Sequence, residues 1–389
     1  MTEFTKPLCV APWTNILIDT NKGVKPCCAY MDQHLGDLKN QEVADIINGK
    51  EWLEVKRKLS NHEWPLGCYK GCKESEDRTG WSPRLNFQID HFQHGQHEYD
   101  IINYESNKII YMEFNGSNIC NLACLHCNPI FSSKWHVEWK KLGWDNTEYH
   151  NTLSNTELIE KNLKQLDLSN LKFIHFKGGE PMLNDETLCV LEYVNSLGIL
   201  GNLKVTIFTN GSIYNERLIE LLGKAKSLQF SVSIDGTSGL FEYVRYGEGN
   251  IEKIEKLVSR INELENSILA MSVSTMAYNI FDIVNIRDLW MKWRKSYKFV
   301  PPFFNIIVTG PEYLNVCVLS DNVRKELISH LTKYQLADEF NVIINALSND
   351  YLGDEMHNRW VDYTKKMESM RGNNILDLVP ELKDELVYR

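Results

Sequence analysis

From residue 108 onward, short runs of apolar and largely β-branched residues recur at 109–114, 172–176, 204–208, 228–234, 269–273 and 304–308. Between them lie stretches with apolar residues near helical spacing, at 156–166, 185–196, 216–222 and 251–264. Each run closes on a polar or glycine-containing turn. Strand, turn and helix repeated in this way predict an α/β fold with a parallel sheet and right-handed crossovers. Six such units curve into a partial barrel, whose functional loops belong at the C-terminal ends of the strands. From about residue 316 the pattern predicts a mostly helical extension, at 322–334 and 354–370. The first 105 residues differ. They carry short apolar stretches at 15–18 and 43–47, scattered Gly and Pro, and five cysteines, which predicts a small loop-rich unit held by a metal centre. Residues 88–99 are polar and hold His91, His94 and His97. On a helix this spacing turns each ring ~60° from the last, so a linker or exposed helix is expected there, not a metal site. The expected division is 1–105, 106–315 and 316–389.

Composition adds limits. Of 389 residues, 43% are hydrophobic and 24% charged, which is ordinary globular chemistry and excludes wholesale disorder. No apolar run approaches the ~20 residues of a membrane helix, and no signal sequence opens the chain, so a soluble cytoplasmic protein with no membrane partner is expected. The net charge of −10 opposes binding to a phosphate backbone, and nucleic acid is not an expected partner. The ten cysteines change the picture more. Eight stand in the first third, at 9, 27, 28, 68, 72, 120, 124 and 127. Thiols grouped in a reducing compartment point to metal or iron–sulfur ligation. Cys189 and Cys317 stand apart and suit small buried hydrophobes.

Directly after the first strand comes Cys120-Asn121-Leu122-Ala123-Cys124-Leu125-His126-Cys127. Three thiolates fall on one tight loop with no adjacent fourth ligand, whereas a structural zinc is normally closed by four protein ligands. His126 would have to fold back sharply to serve. This C-x3-C-x2-C spacing resembles the radical S-adenosylmethionine (SAM) superfamily, in which three cysteines hold a 4Fe–4S cluster with one open iron. Further segments agree with the resemblance, each at a strand end. Lys177-Gly178-Gly179-Glu180-Pro181 is similar to the family's segment that meets the SAM amino group. Thr209-Asn210-Gly211-Ser212, Ser233-Ile234-Asp235-Gly236 and Arg245 are similar to segments lining its ribose and carboxylate. Ser274 and Asn279 sit where the family approaches SAM again. Taken singly, Thr-Asn-Gly-Ser and Ile-Asp-Gly are common turn sequences and Gly178-Gly179 a tight strand exit. The resemblance covers about 110–310 and implies a TIM-like partial (β/α)6 barrel that cleaves SAM to a 5′-deoxyadenosyl radical, fed by a flavodoxin- or ferredoxin-type electron donor. It leaves the catalytic residues proper unidentified.

The N-terminal cysteines resemble the SPASM/twitch extensions that hold auxiliary 4Fe–4S clusters. Cys9 is followed by Ala11-Pro12-Trp13, then Gly23, Cys27-Cys28 and Cys68-x3-Cys72. The resemblance implies one auxiliary cluster from Cys9, one of Cys27 and Cys28, Cys68 and Cys72. These extensions usually follow the barrel, and here the cysteines precede it. A zinc-ribbon-like site of four thiolates competes with this reading. The expected substrate is a residue in a peptide or protein, oxidised, crosslinked or epimerised after hydrogen abstraction. One alternative is a small molecule such as a sugar or nucleotide derivative. The other, from a different class, is a zinc-stabilised binding module without enzymatic activity.

Overall fold

The structure is a computed structural model, described over residues 7–19, 23–32, 34–87, 108–144, 155–300, 304–334 and 337–389. His91, His94 and His97 lie outside the described residues. Ten strands occur among the described residues: β1 (Asn15–Asp19), β2 (Gly23–Lys25), β3 (Tyr111–Asn115), β4 (Leu122–Cys124), β5 (Phe173–Lys177), β6 (Lys204–Thr209), β7 (Ser227–Ser233), β8 (Arg245–Gly247), β9 (Ser267–Thr275) and β10 (Phe304–Ile307). The six apolar runs of the sequence are β3, β5, β6, β7, β9 and β10. They run parallel to their neighbours and alternate with helices, which is the α/β partial (β/α)6 array expected. No described helix is long and apolar enough to cross a membrane.

The chain forms two compact units. The first comprises Met1–Ser117, Thr152–Ile207 and Glu220–Ser227. Its strands lie in the order β6-β5-β3-β1-β2, all parallel except the β1–β2 pair. Side chains alternate across this sheet. Met112, Phe114, Ile174, Phe176, Val205 and Ile207 are buried on one face, each contributing about 1.5–3 kcal/mol by leaving water. Tyr111, Glu113, His175 and Lys177 fall on the other face, making it polar. β1 is the unexpected member. Its Ile16, Leu17 and Ile18 are all buried, a continuous apolar run suited to a strand covered on both faces. Paired with β3 in register (Asn15 opposite Tyr111), it joins the first 105 residues to the segment after 106 in one sheet.

The second unit comprises Asn118–Asn151, Phe208–Ile219 and Leu228–Arg389. Its parallel strands are ordered β10-β9-β7, and β4 and β8 form a separate antiparallel pair. The helix Ile251–Asn262 buries Ile254, Leu257, Val258 and Ile261, one stripe at i, i+3, i+4, i+7. Asn250 caps it by accepting from the Lys253 amide at 2.9 Å, a contact of about 1 kcal/mol. The C-terminal helices Asp321–Thr332, Asn341–Leu347 and Asp354–Arg371 belong to this same unit. The last ends at Gly372, whose positive φ of 68° suits a glycine stop.

Candidate active site

The cysteine loop of the second unit is fixed through its backbone. Its central stretch is β4, in which Cys124 stands opposite Arg245 of β8. Four consecutive carbonyls each accept a side-chain hydrogen bond. Ser132 Oγ donates to Leu122 O at 2.5 Å, Arg371 Nη2 to Ala123 O at 2.7 Å, Trp135 Nε1 to Cys124 O at 2.9 Å and Tyr363 Oη to Leu125 O at 2.8 Å. Two of these donors come from the helix Asp354–Arg371, more than two hundred residues along the chain. Arg371 also pairs with Glu138 at 2.6 Å, its side chain only 1% exposed. The loop is therefore held in one shape before any ligand binds.

Cys124 is buried, with Cys120 and Cys127 half-buried beside it. The Cys127 thiol donates to Cys124, which lowers Cys124 below the ordinary thiol range and raises Cys127. Arg245 lowers Cys124 further, and its Nη1 approaches the Cys124 sulfur at 3.8 Å. Asn210 Nδ2 reaches Cys120 Sγ at 3.8 Å and Asn121 Oδ1 at 3.0 Å. The structure thus brings Asn210 and Arg245 to the cysteines. Arg245 Nη2 lies 2.7 Å from Asp235 Oδ2, and both residues are buried. Asp235 Oδ1 accepts from the Ser274 amide at 2.6 Å, while Asn279 Nδ2 donates to the carbonyls of Asp235 and Ser274. Thr209 Oγ1 accepts from the Gly211 amide at 3.0 Å, and Ser233 ends β7 opposite Ser272. His126 does not close the site as a ligand. Its Nε2 faces Asp235 Oδ2 at 3.8 Å, and burial, with the carboxylate opposing, brings its pKa down to about 4.

Gly178, Gly179 and Glu180 lie in the first unit. Gly178 has φ 115°, and a Cβ there would stand 2.9 Å from the Gly116 nitrogen, so close backbone packing itself demands glycine. The Gly179 amide donates to Ser117 O at 3.1 Å. Glu180 is buried, with Oε1 accepting from the Met182 amide at 3.0 Å.

The N-terminal cysteines separate by direction. Cys9, Cys27, Cys68 and Cys72 line one pocket with Tyr30, Trp64 and Arg84. Burial pushes Cys9 up to about 12 and raises the other three thiols as well. Such thiols stay protonated until a metal displaces the proton. Cys28 points elsewhere, toward Glu113 on the polar face of the sheet. Desolvation of the thiol and the nearby carboxylate push it up to about 12. Glu113 is buried, with Lys177 Nζ at 3.2 Å, and Tyr111 Oη lies 2.7 Å from His175 Nδ1. This array carries no sequence motif. Nor do Ser132, Trp135, Tyr363 and Arg371, whose value lies in distant backbone contacts. Cys189 and Cys317 each donate to a carbonyl, of Thr156 and Ala346 respectively, as packed thiols do. Among the described residues no three His, Cys, Asp or Glu side chains converge on a single metal ion. The donor sets themselves, soft thiols only, fit iron–sulfur clusters.

Comparison with known proteins agrees with this chemistry. The profile of the radical SAM superfamily matches residues 114–291. That of the SPASM iron–sulfur cluster-binding domain matches residues 9–73. The uncharacterized protein MJ0907 of Methanocaldococcus jannaschii is 24% identical over 239 residues, 59% of this chain and 68% of that protein. A GTP 3′,8-cyclase of Clostridium botulinum is 23% identical over 195 residues, 50% of this chain and 56% of the cyclase. Among solved structures, anSMEcpe with bound AdoMet and Kp18Cys peptide is similar at 14% identity and a TM-score of 0.38, over 68% of this chain and 62% of that one. Streptococcus suis SuiB bound to precursor peptide SuiA is similar at 13% identity and a TM-score of 0.39, over 76% and 62%. The chain thus spans less than two thirds of the cyclase and of both solved proteins. Its two matched domains carry the cofactors of their families, a SAM-binding 4Fe–4S cluster and auxiliary iron–sulfur. The chain carries a radical SAM domain at 114–291, with a SPASM iron–sulfur cluster-binding domain at 9–73 placed ahead of it.

Proposed function

We propose that the chain cleaves SAM at a 4Fe–4S cluster held by Cys120, Cys124 and Cys127 and removes a hydrogen atom from a residue of a peptide or protein. The observation that carries this reading is the prebuilt cysteine loop, with His126 turned to Asp235 and so not offered as a fourth ligand. When bound and reduced, the cluster supplies the electron that splits SAM into methionine and a 5′-deoxyadenosyl radical. The protein's part is positional. Asn210 and Arg245 direct N–H groups at Cys120 and Cys124, the kind of contact that tunes a cluster's potential. Gly178, Gly179 and Glu180, with Thr209, Ser233 and Ser274, are assigned to SAM. Asp235 and Asn279 have polar atoms committed to neighbouring backbone and to Arg245, so their share is to shape that wall.

Cys9, Cys27, Cys68 and Cys72 are assigned to the auxiliary cluster. Removing a hydrogen atom would leave an unpaired electron on the substrate, and a cluster held by these four thiols would supply an acceptor for it. A peptide or protein substrate is the class implied by the resemblance of the N-terminal cysteines to the auxiliary-cluster extensions of radical SAM enzymes. A second reading, the same chemistry on a nucleotide or sugar derivative, is favoured by the similarity to the GTP 3′,8-cyclase. The test is anaerobic reconstitution followed by assay of 5′-deoxyadenosine under dithionite. Wild type should form it, and Ala at Cys120, Cys124 or Cys127 should abolish it; turnover in any of these variants would sink the assignment. Deuterium passing into deoxyadenosine from labelled nucleotides or sugars, and not from labelled peptides, would move the conclusion to the second reading.

A further inference from the structure

We infer that an aromatic and basic pocket beside the cysteine loop is the docking surface for a small acidic electron-transfer protein of the flavodoxin or ferredoxin type. The inference rests on the radical SAM reading, which requires an electron from outside the chain. The pocket is lined by Trp139, Trp144, Tyr313, Tyr363, Arg359 and Lys366, together with Asp362. Its inner wall touches the loop itself, because Tyr363 donates its hydroxyl to the carbonyl of Leu125, between Cys124 and Cys127.

A second line of contact runs parallel to the first. Trp135 is fully buried and donates to the carbonyl of Cys124 at 2.9 Å. Its ring meets Trp139 with centroids 6.0 Å apart, Trp139 meets Trp144 at 5.0 Å, and Trp144 stacks on Tyr363 at 6.1 Å and 7°. Packed rings therefore lead without a gap from the backbone of a cluster cysteine to the pocket. Electron tunnelling falls steeply with distance, so a donor seated here has a short, well-packed route inward. The indoles act only as the medium, since a neutral indole does not accept an electron at biological potentials. One electron leaves the donor's reduced flavin or iron–sulfur centre, which is oxidised by one. The cluster at Cys120, Cys124 and Cys127 is reduced by one, and no bond or proton moves.

The rim names the partner's charge. Arg359 and Lys366 are exposed and lie over Tyr313 and Trp144, at 5.7 and 5.6 Å from the ring centroids. Lys365 on the same helix is exposed too, as are Lys140 and Lys141 at the end of the helix that carries Trp135 and Trp139. Asp362 is the acidic lining residue, and it accepts from Tyr388 at 2.7 Å. In a chain of net charge −10, basic residues gathered at one aromatic pocket run against the overall balance. An acidic partner is drawn to such a patch while the rest of the surface repels it, which fixes where it docks. Aromatic rings beside an arginine are also the usual make-up of interface hot spots.

The experiment compares two reductants on the reconstituted holoenzyme, a reduced bacterial flavodoxin and dithionite, with a bacterial ferredoxin run in parallel. The variants are Arg359→Glu/Lys366→Glu and the milder Lys366→Gln. Expected for the double variant is a loss of about tenfold or more in flavodoxin-driven deoxyadenosine formation at low salt, with the dithionite rate kept. Lys366→Gln should show a smaller loss of the same kind. Binding of oxidised flavodoxin, followed by calorimetry, should weaken in parallel, and wild-type binding should weaken with added salt. Flavodoxin-driven rates and binding left unchanged in both variants would overturn the inference, and so would equal losses with both reductants. It also falls if neither protein donor reduces wild type while dithionite does. Absence of deoxyadenosine in wild type with every reductant would instead remove the functional reading, and this inference with it.

Discussion

Cys27 and Cys28 are neighbours in sequence with opposite surroundings. The first faces three other thiols, the second the buried Glu113. Cys27→Ala should therefore cost the auxiliary cluster, about four irons per chain, while Cys28→Ala should keep it; iron and sulfide analysis decides. Equal iron in the two variants would reject this division. Spacing alone left the pair open, because spacing counts backbone positions and not the direction in which a thiol points. Cys120, Cys124 and Cys127, the ligands proposed for the first cluster, stand out in the sequence for the opposite reason, since three thiols on one short loop need no distant residue to be noticed. His175 makes a prediction of another kind. Burial, with Lys177 nearby, brings its pKa down to about 3, so it is neutral in the folded protein at pH values where an unfolded chain would protonate it. The unfolded state then binds more protons below the ordinary value of about 6.5, and stability falls as pH drops toward 3. Between pH 7 and 5 this amounts to about 1–2 kcal/mol. Urea titrations at the two pH values should show a smaller drop for His175→Phe than for wild type.

Among elements, the six barrel strands and the helices at 185–196 and 216–222 follow the apolar pattern closely, because period and burial agree there. The helices Trp135–Lys141, Ser238–Val244 and Ile283–Arg294 did not stand out. Trp135–Lys141 is short and buries only Trp135, and in Ser238–Val244 the buried residues crowd together without a clean stripe. The helix Asp354–Arg371 was legible as a helix and not as part of the site, since nothing local marks residues that hold carbonyls of a loop far upstream. Its role is measurable. Arg371→Met would strand Glu138 in a buried setting and free the Ala123 carbonyl, at a cost of about 3–5 kcal/mol. Tyr363→Phe removes one hydroxyl and should cost about 1 kcal/mol. If the helix braces the loop, Arg371→Met holds less iron at the first cluster after reconstitution, with a shifted electron paramagnetic resonance spectrum. A variant that is merely less stable, with full iron and an unaltered spectrum, would make Arg371 a structural residue only.

At the scale of the whole molecule, the sequence separated three regions, whereas the chain packs as two units. The difference has one main cause. Strand pairing between residues 96 positions apart leaves no local trace, and β1 shows in the sequence only as a brief apolar stretch. That pairing means that the cluster-bearing N-terminus is not a cassette that can be trimmed away. A chain shortened to 106–389 would leave β3 with a free edge of unpaired N–H and C=O groups, a template for sticking to other copies. It should collect in inclusion bodies or as soluble aggregates, seen by size-exclusion chromatography; a monomeric shortened chain with a full first cluster would contradict this. The same bond imposes an order in time. On the ribosome β1 emerges well before β3 and must wait, its apolar residues uncovered, until β3 has been made. A chaperone that shields β1 during that interval should raise the yield of folded protein.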